Sequence, residues 1–240
     1  MKPIYFKMMA GLALGLAVWG AGNVLAHPAR AATLSPLAPL AQPEPHVNSS
    51  QTLTVSVSDQ AATKAASPAL NFVKSTAERG LTFLSDPNST QDQKKSEFKK
   101  LLDASFDLDT IGRFVLGKYW NSATPAQQQE YSRYFKQMVV NVYAGRFGEY
   151  KGQKFEVKSV QTVNATDSLV TSFIYPVNGG DPVQVDWRVR QKGGSFKIVD
   201  VLVAGVSMSI TQRSDFASVI QRGGGDLNVL IDYLKQKSVN

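Results

Sequence analysis

The 240-residue sequence contains no cysteine, and that one absence removes disulfides, thiol nucleophiles and cysteine-ligated metals together. Histidine is almost missing too. His27 and His46 are the only two, both close to the N-terminus, so the chain beyond them holds no imidazole for a triad, a general base or a metal. The N-terminal apolar run, Met8 to Trp19, is only about a dozen residues, short of the roughly 20 that span a bilayer as a helix. The catalytic motifs that do occur lack their companions. Ser96 and Lys99 have the serine-x-x-lysine spacing but stand on a lysine-rich helix face. Asp103, Asp107 and Asp109 fail the calcium-loop pattern, because Ile111 takes the next ligand position and no bidentate glutamate follows. Gly223-Gly224-Gly225 does not follow a strand, so it is no phosphate cradle. These exclusions leave no enzyme, cofactor or metal expectation.

What is present begins with an export signal. Lys2 and Lys7 precede the apolar run, and small residues at Ala21, Gly22 and Ala26 follow it, which predicts a signal peptide over 1–26 with cleavage after Ala26 or Ala31. An uncleaved anchor is the alternative reading of the same run. Residues 27–67 read as a disordered linker, rich in Ala, Pro and Ser, with prolines at 36, 39, 43 and 45. Only Thr52 to Asp59 alternates like a strand. Residues 68–240 are then left for one domain with ample length for a core.

That domain is organised around "FDLDTIGRFVLGKYWNSATPAQQQEYSRYFKQMVVNVYAGRFGEY", Phe106 to Tyr150. Thr124 is placed to cap a helix, Pro125 suits its first position, and Gln127 completes a capping box. From there Tyr131, Tyr134, Phe135, Met138, Val139, Val142, Tyr143 and Phe147 recur at three- and four-residue spacing, giving one wide, bulky apolar face. Such a face is either solid core or the wall of a cavity. Two amphipathic helices precede it, from Pro68 to a stop at Asp86-Pro87-Asn88 and from about Thr90 to Phe106.

After Gly148 and Gly152 the period changes to two. Four strands are predicted, Phe155–Val163, Leu169–Val177, Val183–Gln191 and Phe196–Val203. In the third, Val183, Val185, Trp187 and Val189 face one way and Gln184, Asp186, Arg188 and Arg190 the other. "FKIVDVLVAGVSM" is apolar on both parities, which implies cover on both faces. Helices return at Thr211–Arg222 and from Leu227. The expected fold is α+β: N-terminal helices, an antiparallel four-stranded curved sheet, then C-terminal helices, enclosing an apolar cavity.

The formal charge of +7 is spread over helices and strands, and export without a groove-reading motif argues against nucleic acid. Attraction to anionic lipid or to an acidic partner is the functional alternative to a merely solvated surface. A soluble protein with long apolar walls and no titratable machinery suits a lipid carrier, since lipid chains lose about 0.8 kcal/mol per CH₂ exposed to water.

The segments "FVLGKYWNSATPAQQQEYSRYFKQMVVNVYAGRF", "PVQVDWRVR" and "FKIVDVLVAGVSM" resemble the MlaC-like, or toluene-tolerance, family of periplasmic lipid-binding proteins. The resemblance implies a monomeric periplasmic carrier that holds phospholipid chains between helices and sheet. Its partners would be an inner-membrane ABC transporter complex and an outer-membrane lipoprotein complex. It also implies that Tyr143, Val183, Val185, Trp187, Val203, Val206 and Met208 line the cavity, and Tyr119, Phe135, Val139, Val142, Phe147 and Phe173 complete the expected lipid contacts. A hopanoid-associated branch of the family makes a polycyclic terpenoid the alternative ligand, and a membrane-associated adaptor that holds no lipid, its aromatic face collapsed and closed, is the alternative function.

Overall fold

A computed structural model of the chain describes residues 67–239. The expected export segment, the strand-like run at 52–59 and all of the linker but Ser67 lie outside the described residues. Among those described, no helix is long and apolar enough to cross a membrane.

Helix starts fall where side chains can satisfy the first N–H groups. Helix α1 (Pro68–Ser85) carries proline in its first turn. Helix α2 (Gln91–Ser105) begins at a capping box in which the Thr90 hydroxyl accepts from the Gln93 N–H at 3.2 Å and the Gln93 amide oxygen accepts from the Thr90 N–H at 2.7 Å. Asp107 caps α3 (Leu108–Leu116) by accepting from the Thr110 N–H at 2.9 Å. After the short α4 (Lys118–Ser122), Thr124 and Gln127 form the second capping box, at the head of α5 (Pro125–Ala144).

A 3-10 turn (Phe147–Glu149) leads into the sheet, whose strands are β1 (Lys154–Thr162), β2 (Asp167–Tyr175), β3 (Val183–Lys192), β4 (Ser195–Val203) and β5 (Val206–Ser207). They lie in chain order and are antiparallel throughout, the expected meander. The sheet has five strands rather than the expected four. Ala204 and Gly205, both at positive φ (49° and 81°), reverse the chain so that Val206–Ser207 folds back on Leu202–Val203. A continuous apolar run hides that reversal in the sequence. Register shifts at Val157/Ser159 and Arg188/Val189 mark bulges, which bend the sheet. Helices α6 (Met208–Arg222) and α7 (Leu227–Val239) complete the fold.

Two packing regions result. In the helical one, Tyr131, Phe135 and Met138 of α5 meet Phe216 and Ile220 of α6 and Leu230 and Leu234 of α7. The Tyr131 hydroxyl, buried there, donates to the Gly112 carbonyl at 2.9 Å. In the other, Ala69 and Val73 of α1 cover Val170, Val189 and Ile198 of the sheet. The aromatic face of α5 is therefore in part ordinary core, packed against α6 and α7. What lies between α5 and the sheet is different.

Candidate functional site

Between the helices and the sheet lies a cavity of about 260 Å³. Helix α1 contributes Val73, Ala77, Leu81 and Leu84, one stripe at helical spacing, and α2 contributes Phe98, Leu101 and Leu102. From α3 come Leu108, Ile111 and Val115; from α5, Phe135, Met138, Val139 and Tyr143. The sheet supplies Phe155, Ile174, Val185, Trp187, Ile198 and Val201, and α6 closes one end with Met208, Ser209 and Gln212.

Most of the wall is carbon, and the polar groups of its tryptophan and of Tyr143 are turned away or kept neutral. Trp187 donates its indole N–H to the Ser172 hydroxyl at 2.9 Å, and Ser172 in turn donates to the Val185 carbonyl at 2.9 Å. The indole thus presents only ring to the cavity. Burial pushes the Tyr143 hydroxyl up from its usual range, with Arg146 beside it pulling the other way, so it stays neutral. Around Tyr143 the rings interlock: Phe98 to Tyr143 at 6.0 Å, Phe98 to Phe147 at 5.3 Å and Phe83 to Phe147 at 6.0 Å. At this end Arg146, Tyr150 and Gln153 also reach the wall, next to the exposed residues Gly148, Glu149, Lys151 and Gly152. It is the surface-facing end, and Arg146 lies 3.7 Å from Glu149 there.

Of the residues expected to line the cavity, Phe135, Val139, Tyr143, Phe147, Val185, Trp187 and Met208 do lie on its wall. Val183 and Val203 sit behind it, in the cluster that seats Val185 and Met208. Val142 and Tyr119 pack instead against the helical core, and Tyr119 carries the Lys118 ammonium 5.2 Å from its ring centre. Phe173 is on the opposite face of the sheet. Its neighbour Ser172 faces inward opposite Val185, so Phe173 pairs outward with Glu156 and Gln184. Val206 is 54% exposed, because the reversal at Ala204-Gly205 carries it off the wall.

The sequence reading missed the share of the wall built by α1 and α2. The signal was present in the apolar stripe of α1 and in Phe83 and Phe98, which sit at core-facing positions but read equally well as plain core. Among the described residues no group of three or more acidic or histidine side chains is placed to hold a metal.

Comparison with known proteins gives this cavity a context. The chain is 29% identical over 153 residues to toluene tolerance protein ttg2D of Pseudomonas putida, covering 62% of this chain and 68% of that protein. It is 25% identical over 135 residues to the intermembrane phospholipid transport system binding protein MlaC of Haemophilus influenzae, covering 55% of this chain and 62% of that one. The phospholipid-binding protein from Ralstonia solanacearum, solved in complex with a phospholipid, superposes with a TM-score of 0.62 at 27% identity over 72% of this chain and 98% of its own. The sequence profile described as MlaC protein matches residues 74–236, most of the described fold, and the chain belongs to that family.

Proposed function

We propose that this protein is a non-enzymatic carrier that takes a phospholipid into the cavity and ferries it across the periplasm. Its docking partners on this reading are an inner-membrane ABC-type transporter complex and an outer-membrane lipoprotein complex. The observation that carries the proposal is the cavity itself, walled by side chains from five helices and the sheet with its tryptophan and tyrosine polar groups taken out of play. A relative of the same fold holding a phospholipid names the ligand class.

The energetics suit the role. Two chains of roughly fifteen carbons lose on the order of 20 kcal/mol when drawn into water, at about 0.8 kcal/mol per CH₂. An apolar cavity offsets most of that loss without specific chemistry. Arg146 at the surface-facing end provides a cation for a phosphate, which orients the headgroup outward and the chains toward α6.

Tyr143→Glu places a carboxylate against the chains and is expected to abolish co-purifying phospholipid while leaving the circular dichroism spectrum intact. Val206→Glu, on an exposed residue off the wall, is expected to retain the lipid. Lipid persisting in Tyr143→Glu would place the binding site elsewhere. A polycyclic terpenoid in the extract would redirect the ligand assignment.

A further inference from the structure

Buried polar side chains in this fold are almost all accounted for by the protein. Thr76 bonds to Ser105, Asp167 to Arg190, Ser172 to Val185 and Trp187, Asp186 to Thr171 and Gln184, and Ser207 to Asp200. Ser209 and Gln212 break the pattern. They are 6% and 7% exposed as residues, and neither side chain has a hydrogen-bond partner among the described residues. The one enclosed, unpaired side-chain atom among those residues is Arg188 Nε, so the polar atoms of Ser209 and Gln212 open onto accessible space. Both lie on the cavity wall, three residues apart and so on one face of α6. Two polar side chains that open onto an otherwise apolar cavity without a protein partner are placed to bond what fills it.

The surroundings say what kind of group it is. Asp200, also on the wall, already accepts from the Ser209 N–H at 3.1 Å, the Val201 N–H at 2.9 Å and the Ser207 hydroxyl at 2.6 Å. The Ile210 N–H goes to the Ser207 hydroxyl at 3.1 Å. The start of α6 is thereby occupied by a carboxylate and its cap, which disfavours a phosphate or any other anion there. An amide and a hydroxyl, each donor and acceptor, match a neutral hydroxyl instead.

Resting on the carrier reading above, we infer that Ser209 and Gln212 form a hydrogen-bonding subsite for a neutral hydroxyl on the bound lipid. The pair stands on α6, whereas Arg146 follows α5. Phe135, which meets Phe216 one turn beyond Gln212, and Tyr143, beside Arg146, are separated by about 12 Å of helix rise. With the phosphate at Arg146, the subsite meets a hydroxyl carried on an acyl chain. With the lipid reversed, it meets a hydroxylated headgroup.

The test compares three probes on the delipidated full chain by native mass spectrometry: phosphatidylcholine with plain saturated chains, the same lipid with one ω-hydroxylated chain, and a plain-chain diacylglycerol. The wild type is expected to retain a hydroxylated probe over the plain one by roughly tenfold, the scale of one buried hydrogen bond. Preference for the ω-hydroxylated chain assigns the hydroxyl to the chain, and preference for the diacylglycerol assigns it to the headgroup. Gln212→Leu should erase the preference, and Ser209→Ala should reduce it. No preference in the wild type, or an unchanged one in Gln212→Leu, overturns the subsite. A wild type that holds none of the probes overturns the carrier reading instead. One readout needs no lipid: Gln212→Leu should raise the Tm of the lipid-free protein by about 2–4 °C, because it replaces an amide that has no protein partner with an apolar side chain on an apolar wall. A lower Tm would show that the amide is satisfied internally and would overturn the inference.

Discussion

A single side chain often has two neighbours with opposite demands, and Asp167 is the clearest case here. Its carboxylate is only 2% exposed at the head of β2, where Arg190 grips it at 2.7 and 2.8 Å. The Arg190 bonds hold its pKa below the usual carboxylate value, against the opposing effect of burial. A depressed folded-state pKa means stability that is present above the unfolded value near 4 and lost as pH falls below it toward the folded value. Arg190 is 40% exposed, so solvent screens part of the pair. Arg190→Ala is expected to cost about 2 kcal/mol in urea unfolding at pH 7, because the carboxylate stays buried without its charged donor. The gap between variant and wild type should narrow below about pH 4. A gap that is constant with pH would mean that the ion pair is not its source. Trp187 shows the same logic in the cavity, where its one polar atom is satisfied by Ser172 so that the ring can face an apolar space.

At the scale of elements, α5 is the pivot. One part of its circumference packs into the helical core through Tyr131, Tyr134 and Val142, and another faces the cavity through Val139 and Tyr143. Helix starts are legible in the sequence because caps are local: Thr90 with Gln93 and Thr124 with Gln127 are complete within four residues. The inward parity of Val185 and Trp187 is legible for the same reason, since alternation is a nearest-neighbour property. What is not legible is which inward residues meet other side chains and which meet a void. Val142 and Val139 are indistinguishable in pattern and both pack against the helical core, yet only Val139 also reaches the cavity wall. Phe173 misleads because a serine occupies the inward position next to it, and the hydrogen bonds that justify Ser172 come from another strand. The turn between α3 and α4 carries its own constraint. Gly117 has φ of +60°, and a Cβ there would come within 2.8 Å of the Arg213 guanidinium nitrogen Nε. Gly117→Ala is expected to destabilise the fold by about 1–3 kcal/mol, read as a lower urea midpoint at unchanged m-value. An unchanged midpoint would mean that the turn relaxes freely.

For the molecule as a whole, the division of labour is simple. Helices α5, α6 and α7 pack together in one core, while α1 and α2 face the sheet, α5 and α6 across a seam that their side chains leave open. A net charge of +7 on the full chain favours approach to anionic surfaces without fixing which one. The central claim is that the seam is shaped for a lipid, and the protein taken from its own host tests it most directly. Native mass spectrometry, followed by solvent extraction and identification of what is released, should show one phospholipid per chain. A bare protein mass, or a protein whose only bound material is not lipid, would contradict the account.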